Sequence, residues 1–219
     1  MMDPREKNDL SGTLNDSARN FTMVAHRARS DSGIALNDLC GASGRWDGVA
    51  RSITSSLFLS HDLRRDTSVH VLLLGPDDPP KLMSVNGRDV KYLNPDERAS
   101  SALMRKCLGP DLPSRMGSRL EPSPGITLTR ADLASLLRSM DGSSFLLDES
   151  GETISKDGSP VLCERAPLHF ILSDDQDLTE DERSLIDEHV DGTISLCEKV
   201  LHTNQAITVL HYLLDQEGI

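Results

Sequence analysis

The chain has 219 residues, 37% of them hydrophobic, enough for one large domain or two small ones with a real core. Its 23 Lys+Arg against 35 Asp+Glu give a formal net charge of −12, which excludes a protein basic all over, the usual footprint of a general nucleic-acid binder. No apolar run approaches the ~20 residues that cross a bilayer, residues 1–20 lack the apolar stretch of a signal peptide, and Cys40, Cys107, Cys163 and Cys197 form no Cys-x-x-Cys pair. A cytoplasmic protein follows, with no membrane partner, zinc site or disulfide framework, and with reduced, mostly buried thiols.

Residues 1–20 are polar and aperiodic and read as a disordered tail. Phe21-Thr-Met-Val-Ala-His-Arg-Ala28 reads as the first strand, and residues 30–44, rich in Ser, Gly, Asp and Asn, as a long loop of the kind that usually carries function. From Arg45 onward Trp46, Val49, Ala50, Ile53 and Leu57 share one helical face. Residues 67–75 form a nearly unbroken apolar run ending in glycine, the pattern of a strand buried on both faces of a parallel sheet. Asn86-Gly87 between residues 81–85 and 88–93 predicts a hairpin. Asn94-Pro-Asp-Glu97 predicts a helix capped by Asn94 and running to about Cys107.

Residues 109–125 carry Pro, Gly and Ser and predict a linker. Beyond it the chain predicts a strand at 126–128, a helix from Thr129, its cap, to Met140, a strand at 144–147, a turn at 148–151 and a buried strand at 168–172. Thr179-Glu-Asp-Glu182 is a capping box. A stub at 193–196, a polar loop and then Ala206, Ile207, Leu210, Leu213 and Leu214 at helical spacing complete a strand, loop and helix, with Thr203 or Asn204 as cap. Such alternation defines an α/β protein with a mostly parallel sheet and helices on both faces. Segment 196–205 offers free backbone N–H groups above that sheet, either as a ligand site or simply as a closing βα unit.

No Gly-x-Gly-x-x-Gly, Walker lysine, His-Glu-x-x-His or Gly-x-Ser-x-Gly motif occurs. Leu36-Asn-Asp-Leu39, Gly44-Arg45 with Asp47 and Arg51, Phe58-Leu-Ser-His61, Arg64-Arg-Asp66, Leu74-Gly-Pro-Asp-Asp-Pro-Pro80 and Tyr92-Leu-Asn-Pro-Asp-Glu-Arg98 do occur, in that order. Together they resemble the archaeal tRNA pseudouridine-54 N1-methyltransferase family of the SPOUT class. The resemblance implies one SPOUT domain over 21–219, with an N-terminal part at 21–108, the linker 109–125 and a cofactor-binding part at 126–219 threaded as a trefoil knot. It also implies a homodimer, a tRNA substrate and S-adenosylmethionine as cofactor.

Carried over to this sequence, the cofactor contacts are Leu147, Ser173, Leu196, Cys197, Glu198, Lys199, Val200, Leu201 and Ala206. Ser173, Asp177 and Cys197 stand where glycine is usual in the family, Glu198 replaces a usual proline, and Asn204-Gln205 replaces a usual Asp-His pair. Those departures raise a second reading, a cofactor-poor paralogue that binds RNA as a dimer; a third is methylation of a pseudouridine in ribosomal RNA. N1 methylation needs the nitrogen aligned with the methyl, loss of its proton and a held, flipped-out base. Asp38, Asp47 and Asp66 are the candidate proton acceptors or anchors, with Asp47 alternatively a helix-start carboxylate. Arg45, Arg51, Arg64, Arg65 and Arg98 are candidates for RNA phosphates or, equally, for surface ion pairs. His26, His61, His202 and His211 have no metal spacing, and Trp46 is a core residue.

Overall fold

The computed structural model describes residues 9–154 and 166–218. Eight strands form one sheet: β1 (Arg19–Ala25), β2 (Thr67–Leu73), β3 (Lys81–Asn86), β4 (Arg119–Ser123), β5 (Ile126–Thr129), β6 (Ser143–Thr153), β7 (Leu168–Ser173) and β8 (Gly192–Ser195). Their spatial order is β4-β5-β3-β2-β1-β7-β6-β8. Strands β2, β1, β7, β6 and β8 are parallel, while β3, β5 and β4 extend the β2 edge antiparallel. All seven residues of β1 and of β2 are buried, as in strands covered on both faces, and even their polar residues such as Asn20 and His70 lie inside.

Helices cover both faces. Successive strand residues point to opposite sides, so Met23, Val71 and Met83 pack against α2 (Trp46–Leu57) and α3 (Glu97–Cys107). Phe21, Phe145 and Phe170 on that face meet Ile207, Leu210 and Leu214 of α6 (Thr203–Glu217). Val24, Leu72, Leu146 and Ile171 turn the other way, onto α1 (Asp9–Leu14), α4 (Leu133–Leu137) and α5 (Glu180–Asp187). Burying each such Leu, Ile or Phe side chain contributes about 1.5–3 kcal/mol.

α6 leaves the edge strand β8 yet returns to the middle of the sheet. Arg19 of β1, 4% exposed at its side chain, pairs with Asp215 at 2.7 Å, and the His211 ring meets Phe21 edge-on at 4.7 Å between centroids. α2 and α6 pack side by side, joined by a hydrogen bond between His211 Nε2 and the Ser56 carbonyl at 2.9 Å.

Several expectations need correction. Residues 1–8 of the expected tail lie outside the described residues, but residues 9–20 are ordered. Leu10 and Leu14, one turn apart in α1, are buried, and Asn15 donates to the Ser139 carbonyl. Two leucines in a polar segment are too few to show a period. The hairpin at Asn86-Gly87 does not form. Val90 N–H instead bonds back to the Asn86 carbonyl, and Asn86 Oδ1 accepts from Arg88 N–H. The free edge of β3 is filled by β5, with Val85 opposite Ile126. Gly125, at φ 70°, permits that crossing, since a Cβ there would sit 2.3 Å from Val90 N.

Within the expected linker, residues 119–123 form β4 and join the sheet. The cap of α3 is Asp96, which accepts from Ala99 N–H, and Asn94 bonds to the Tyr92 carbonyl instead. Asp132 likewise displaces Thr129 as the cap of a shorter α4. At α6 the cap position is His202, whose N–H donates to Gln205 Oε1 at 3.1 Å. The turn at 148–151 is an outward bulge inside β6, because Leu147 and Glu152 both register with Ile194. Of the thiols, Cys107 is buried, Cys40 is exposed and Cys197 is intermediate; Cys163 lies outside the described residues. The capping box of Thr179 and Glu182 forms as expected.

Candidate active site

A cavity of about 540 Å³ opens where the parallel strands β1, β7, β6 and β8 end. Ligands of α/β sheets bind at such carboxyl ends, and the volume is in the ~300–1,000 Å³ range of small-molecule sites. One wall is the first half of α2. The other comprises the bulge of β6, the loops after β7 and β8 and the start of α6.

The α2 wall starts from two consecutive left-handed residues, Gly44 at φ 65° and Arg45 at φ 68°. Only glycine fits at 44, where a Cβ would fall 1.9 Å from the Arg27 carbonyl oxygen. The turn brings the Arg45 guanidinium back over its own helix, with Nε 3.0 Å from Asp47 Oδ1. Arg51, one turn on, donates to Asp47 Oδ2 at 2.6 Å and to Glu97 Oε1 at 3.2 Å. The Asp47 side chain is 5% exposed. Its burial opposes ionisation, but hydrogen bonds and charge from Arg45 and Arg51 outweigh that and hold the carboxyl at about 2. Arg45 and Arg51 line the cavity; Asp47 is their buried counter-ion. Trp46 is fully buried and donates to the Arg29 carbonyl.

On the opposite wall Thr203 Oγ1 donates to the Ser173 carbonyl at 2.6 Å, tying α6 to the end of β7. The Ser173 hydroxyl turns onto the Gln176 carbonyl, and Cys197 Sγ onto the Lys199 carbonyl at 3.4 Å. The Ser173 and Cys197 side chains therefore both engage their own loops. In the β6 bulge, Asp148 pairs with Arg183 at 2.6 Å. The loop after β7 is held by His26, whose ring bonds to Asp174 at 2.9 Å and Glu182 at 3.1 Å. The hydrogen bond to Asp174 is the main cause, against burial, that raises His26 to about 9, so it is an imidazolium at neutral pH.

Leu147, Ser173, Leu196, Cys197, Lys199, Val200, Leu201 and Ala206 all line this cavity, together with Arg45 and Arg51. Glu198 is exposed beside it and is not part of the wall. Asp38 and Asp66 are elsewhere: Asp38 accepts from the N–H groups of Gly41 and Ala42, and Asp66 lies 3.8 Å from Arg19. Arg64 pairs with Asp215, Arg65 reaches the Gly87 and Arg88 carbonyls, and Arg98 donates to Asn37 and the Leu36 carbonyl. Sequence reasoning missed His26, Asp148, Asp174, Asp175 and Arg183. Asp148 and Asp174 immediately follow buried strand runs, a position that could have marked them. Among the described residues no group of His, Cys, Asp and Glu could hold a metal ion.

An open, mostly parallel sheet with this cavity at its carboxyl end is the architecture of an α/β enzyme that binds a nucleotide-sized ligand. Residues 18–219 match the family described as "Putative SAM-dependent RNA methyltransferase", and the chain belongs to that family. A tRNA (pseudouridine(54)-N(1))-methyltransferase of Methanosarcina mazei is 39% identical over 199 residues, covering 90% of this chain and 91% of that one. The same-named protein of Methanopyrus kandleri is 40% identical over 197 residues, covering 89% and 91%. The crystal structure of Archaeoglobus fulgidus Nep1 bound to S-adenosylhomocysteine superposes with a TM-score of 0.61 over 91% of this chain and 97% of that one. At 15% identity that likeness concerns the fold.

The cavity fits S-adenosylmethionine by its size and by its mixed lining. Arg183 and Lys199 suit a carboxylate, Asp148 and Asp174 an ammonium, and Leu147, Leu196 and Leu201 a flat apolar ring.

Proposed function

We propose that the protein methylates N1 of pseudouridine 54 in the T-arm of tRNA, with S-adenosylmethionine as donor. The observation that carries this reading is the division of one cavity into an arginine wall on α2 and a loop wall at 147–149, 173–178 and 195–206. S-adenosylmethionine brings a sulfonium methyl group, so the protein's task is to align N1 and let its proton depart. Leu147, Leu196, Leu201 and Ala206 hold the donor, with Ser173 and Cys197 turned aside. Arg45 and Arg51 face the nucleotide from the opposite wall, where planar guanidiniums suit phosphate and base oxygens.

Of the three candidate carboxylates we keep Asp47, as a positioning residue. A carboxyl held at about 2 by two guanidiniums is a poor proton acceptor and a good anchor for them. S-adenosylmethionine bound there would supply the methyl carbon as its carbon–sulfur bond breaks, while Arg45 and Arg51, anchored by Asp47, would hold the base so that N1 faces that carbon and its proton can pass to water. The return of α6 from edge strand β8 to the sheet centre supports a threaded C-terminus, and exposed Val209 and Tyr212 on its outer side support a homodimer. We place the enzyme in the cytoplasm with its tRNA substrate.

Two measurements test the proposal. Calorimetry should give a saturable S-adenosylmethionine isotherm in the micromolar range, and mass spectrometry of tRNA from a deletion strain should lose N1-methylpseudouridine. Absence of heat at millimolar ligand points to the cofactor-poor paralogue; unchanged tRNA with loss of the modification from ribosomal RNA points to the other substrate.

A further inference from the structure

Two residues on the cavity side of α2 make the protein less stable than alanine would. Gly48 stands in the first turn of the helix, outside the left-handed region, and a Cβ there would meet no atom within 4 Å. Alanine would fit, and it favours helix over glycine. Ser52, one turn further on, is 1% exposed, and its hydroxyl has no hydrogen-bond partner among the described residues. The hydroxyl of Ser56, on the next turn, does have one, the Ser52 carbonyl at 2.7 Å. An unpaired buried hydroxyl is destabilising, and alanine would fill nearly the same space without it.

Both residues line the cavity together with Arg45 and Arg51. Positions 45, 48 and 52 fall on one stripe of the helix, with 51 beside them. A patch of bare backbone therefore lies between two guanidiniums, with the unpaired hydroxyl at its more buried end. Met23 and Leu172, opposite one another in β1 and β7, also line the cavity and give it an apolar floor. Gly12, Gly192 and Gly218 likewise have room for a Cβ, but none of them lines this cavity. Neither backbone conformation nor packing within the described chain calls for glycine at 48 or for a hydroxyl at 52. A flat ligand lying against the helix calls for both, the first to let a ring approach the backbone and the second to pair with its polar edge.

We propose that the stretch from Gly48 to Ser52 is the seat of the pseudouridine base. The ring lies over the backbone at Gly48, and the Ser52 hydroxyl, turning about its single χ1 bond, hydrogen-bonds the edge that carries N3 and its flanking carbonyls. The proposal rests on the RNA-methylating reading above and adds to it the surface that holds the base. Enzymes that act on a flipped-out base read it through such an edge and through contact with its flat faces. N1 is two ring positions from N3, so a base anchored this way keeps N1 free to face the loop wall.

The test compares a T-arm stem–loop containing pseudouridine with the same stem–loop abasic at that nucleotide, both bound with S-adenosylhomocysteine in place of the donor. Gly48→Ala should weaken binding of the first about 5- to 150-fold, the range one intruding methyl group sets. Ser52→Ala should weaken it about 2- to 12-fold, as for one hydrogen bond. Both variants should bind the abasic RNA within about twofold of wild type and S-adenosylmethionine within about threefold. Their melting temperatures should hold or rise, by up to ~4 °C. Equal weakening of the two RNAs overturns the proposal, because the residues then shape the helix and not the base site. Wild-type affinity for the pseudouridine RNA in both variants overturns it too, as does a loss of S-adenosylmethionine affinity in place of RNA affinity, which would make this patch a cofactor contact. A wild-type protein that binds the pseudouridine RNA without methylating it refutes the activity while leaving the comparison of the two RNAs readable, and one that binds neither RNA refutes both.

Discussion

Along one side of the cavity every charge is held at least twice. Asp47 is shared by Arg45 and Arg51, Arg51 is shared by Asp47 and Glu97, and the turn that starts α2 is fixed by a glycine with no room for a Cβ. Along the other side, Glu198, Lys199 and Val200 are exposed, Val200 at 78%, and the Cys197 hydrogen bond is a weak one to sulfur. Preorganised dipoles and charges are most effective where charge must be positioned without reorganisation. A loop that closes over a cofactor has to yield to admit it. That difference matches what the proposed reaction asks of a nucleotide wall and of a cofactor wall.

The strongest way to break that comparison is to remove the shared charge. In Asp47→Asn, Arg45 and Arg51 lose their buried partner. We expect methyl transfer to fall on the order of 100-fold through misplacement of the arginines, with S-adenosylmethionine affinity within about threefold of wild type. Unfolding in urea should show a loss of ~2 kcal/mol, since the carboxyl is held at about 2 against an ordinary 3.8. A lowered folded value contributes stability fully above the unfolded one and loses it as pH falls through the folded one. The gap between wild type and variant should therefore close from about pH 4 to pH 2. A gap of constant size would mean that shape, not charge, is what Asp47 supplies.

The loop wall has a titrating support of its own. His26, raised to about 9 chiefly by its hydrogen bond to Asp174, contributes fully below its ordinary 6.5, and that contribution disappears as pH rises through 9. S-adenosylmethionine binding followed by calorimetry should weaken on the order of tenfold from pH 8 to pH 10. His26→Gln should be weak throughout and flat over the same range. Equal pH dependence in the variant would free His26 of any part in shaping this wall.

These two walls were unequally legible in the sequence. Apolar runs revealed β2 and β7 because parallel strands buried on both faces leave an unmistakable pattern. The ordered phrases around Arg45 and the 196–201 loop located both sides of the cavity. The antiparallel edge was misread at Asn86-Gly87, because a turn signal says that the chain reverses but not which strand takes the free edge. Asp96 and Asp132 displaced the expected caps because several cap-forming residues stood within three positions, and only the backbone chooses among them. The His26 clamp left no signal, since Asp174 and Glu182 are 148 and 156 residues away in sequence.

A smaller effect comes from the sheet that both walls share. His70 of β2, whose Nε2 lies 3.4 Å from Asn20 Oδ1, and His169 of β7, opposite Asn20, are buried; burial lowers them to about 3 and about 4. Held neutral, they contribute stability above their ordinary 6.5, and it declines as pH falls toward the folded values. The urea midpoint should decrease between pH 6.5 and pH 4, and His169→Asn, which cannot charge, should reduce that slope, by ~1–2 kcal/mol at pH 4. An unchanged slope would assign the acid sensitivity in this range to His70.

The smallest expected effect is at Ser173 and Cys197, two of the three positions where the family resemblance leads one to expect glycine. If Ser173 and Cys197 pressed into the cofactor's space, removing them would relieve overpacking worth ~1–3 kcal/mol and tighten binding by up to about 150-fold. Their atoms turn the other way, the hydroxyl onto the Gln176 carbonyl and the thiol onto the Lys199 carbonyl. Replacing both by glycine then removes two local hydrogen bonds from the already compliant wall and adds backbone freedom, at about 0.5–1 kcal/mol per glycine. We therefore expect Ser173→Gly with Cys197→Gly to bind S-adenosylmethionine no tighter than wild type and weaker by about 5- to 30-fold at most. Tightening of more than tenfold in calorimetry would mean that the natural chain carries an obstructed cofactor wall opposite an intact arginine wall, and would favour the RNA-binding, cofactor-poor alternative.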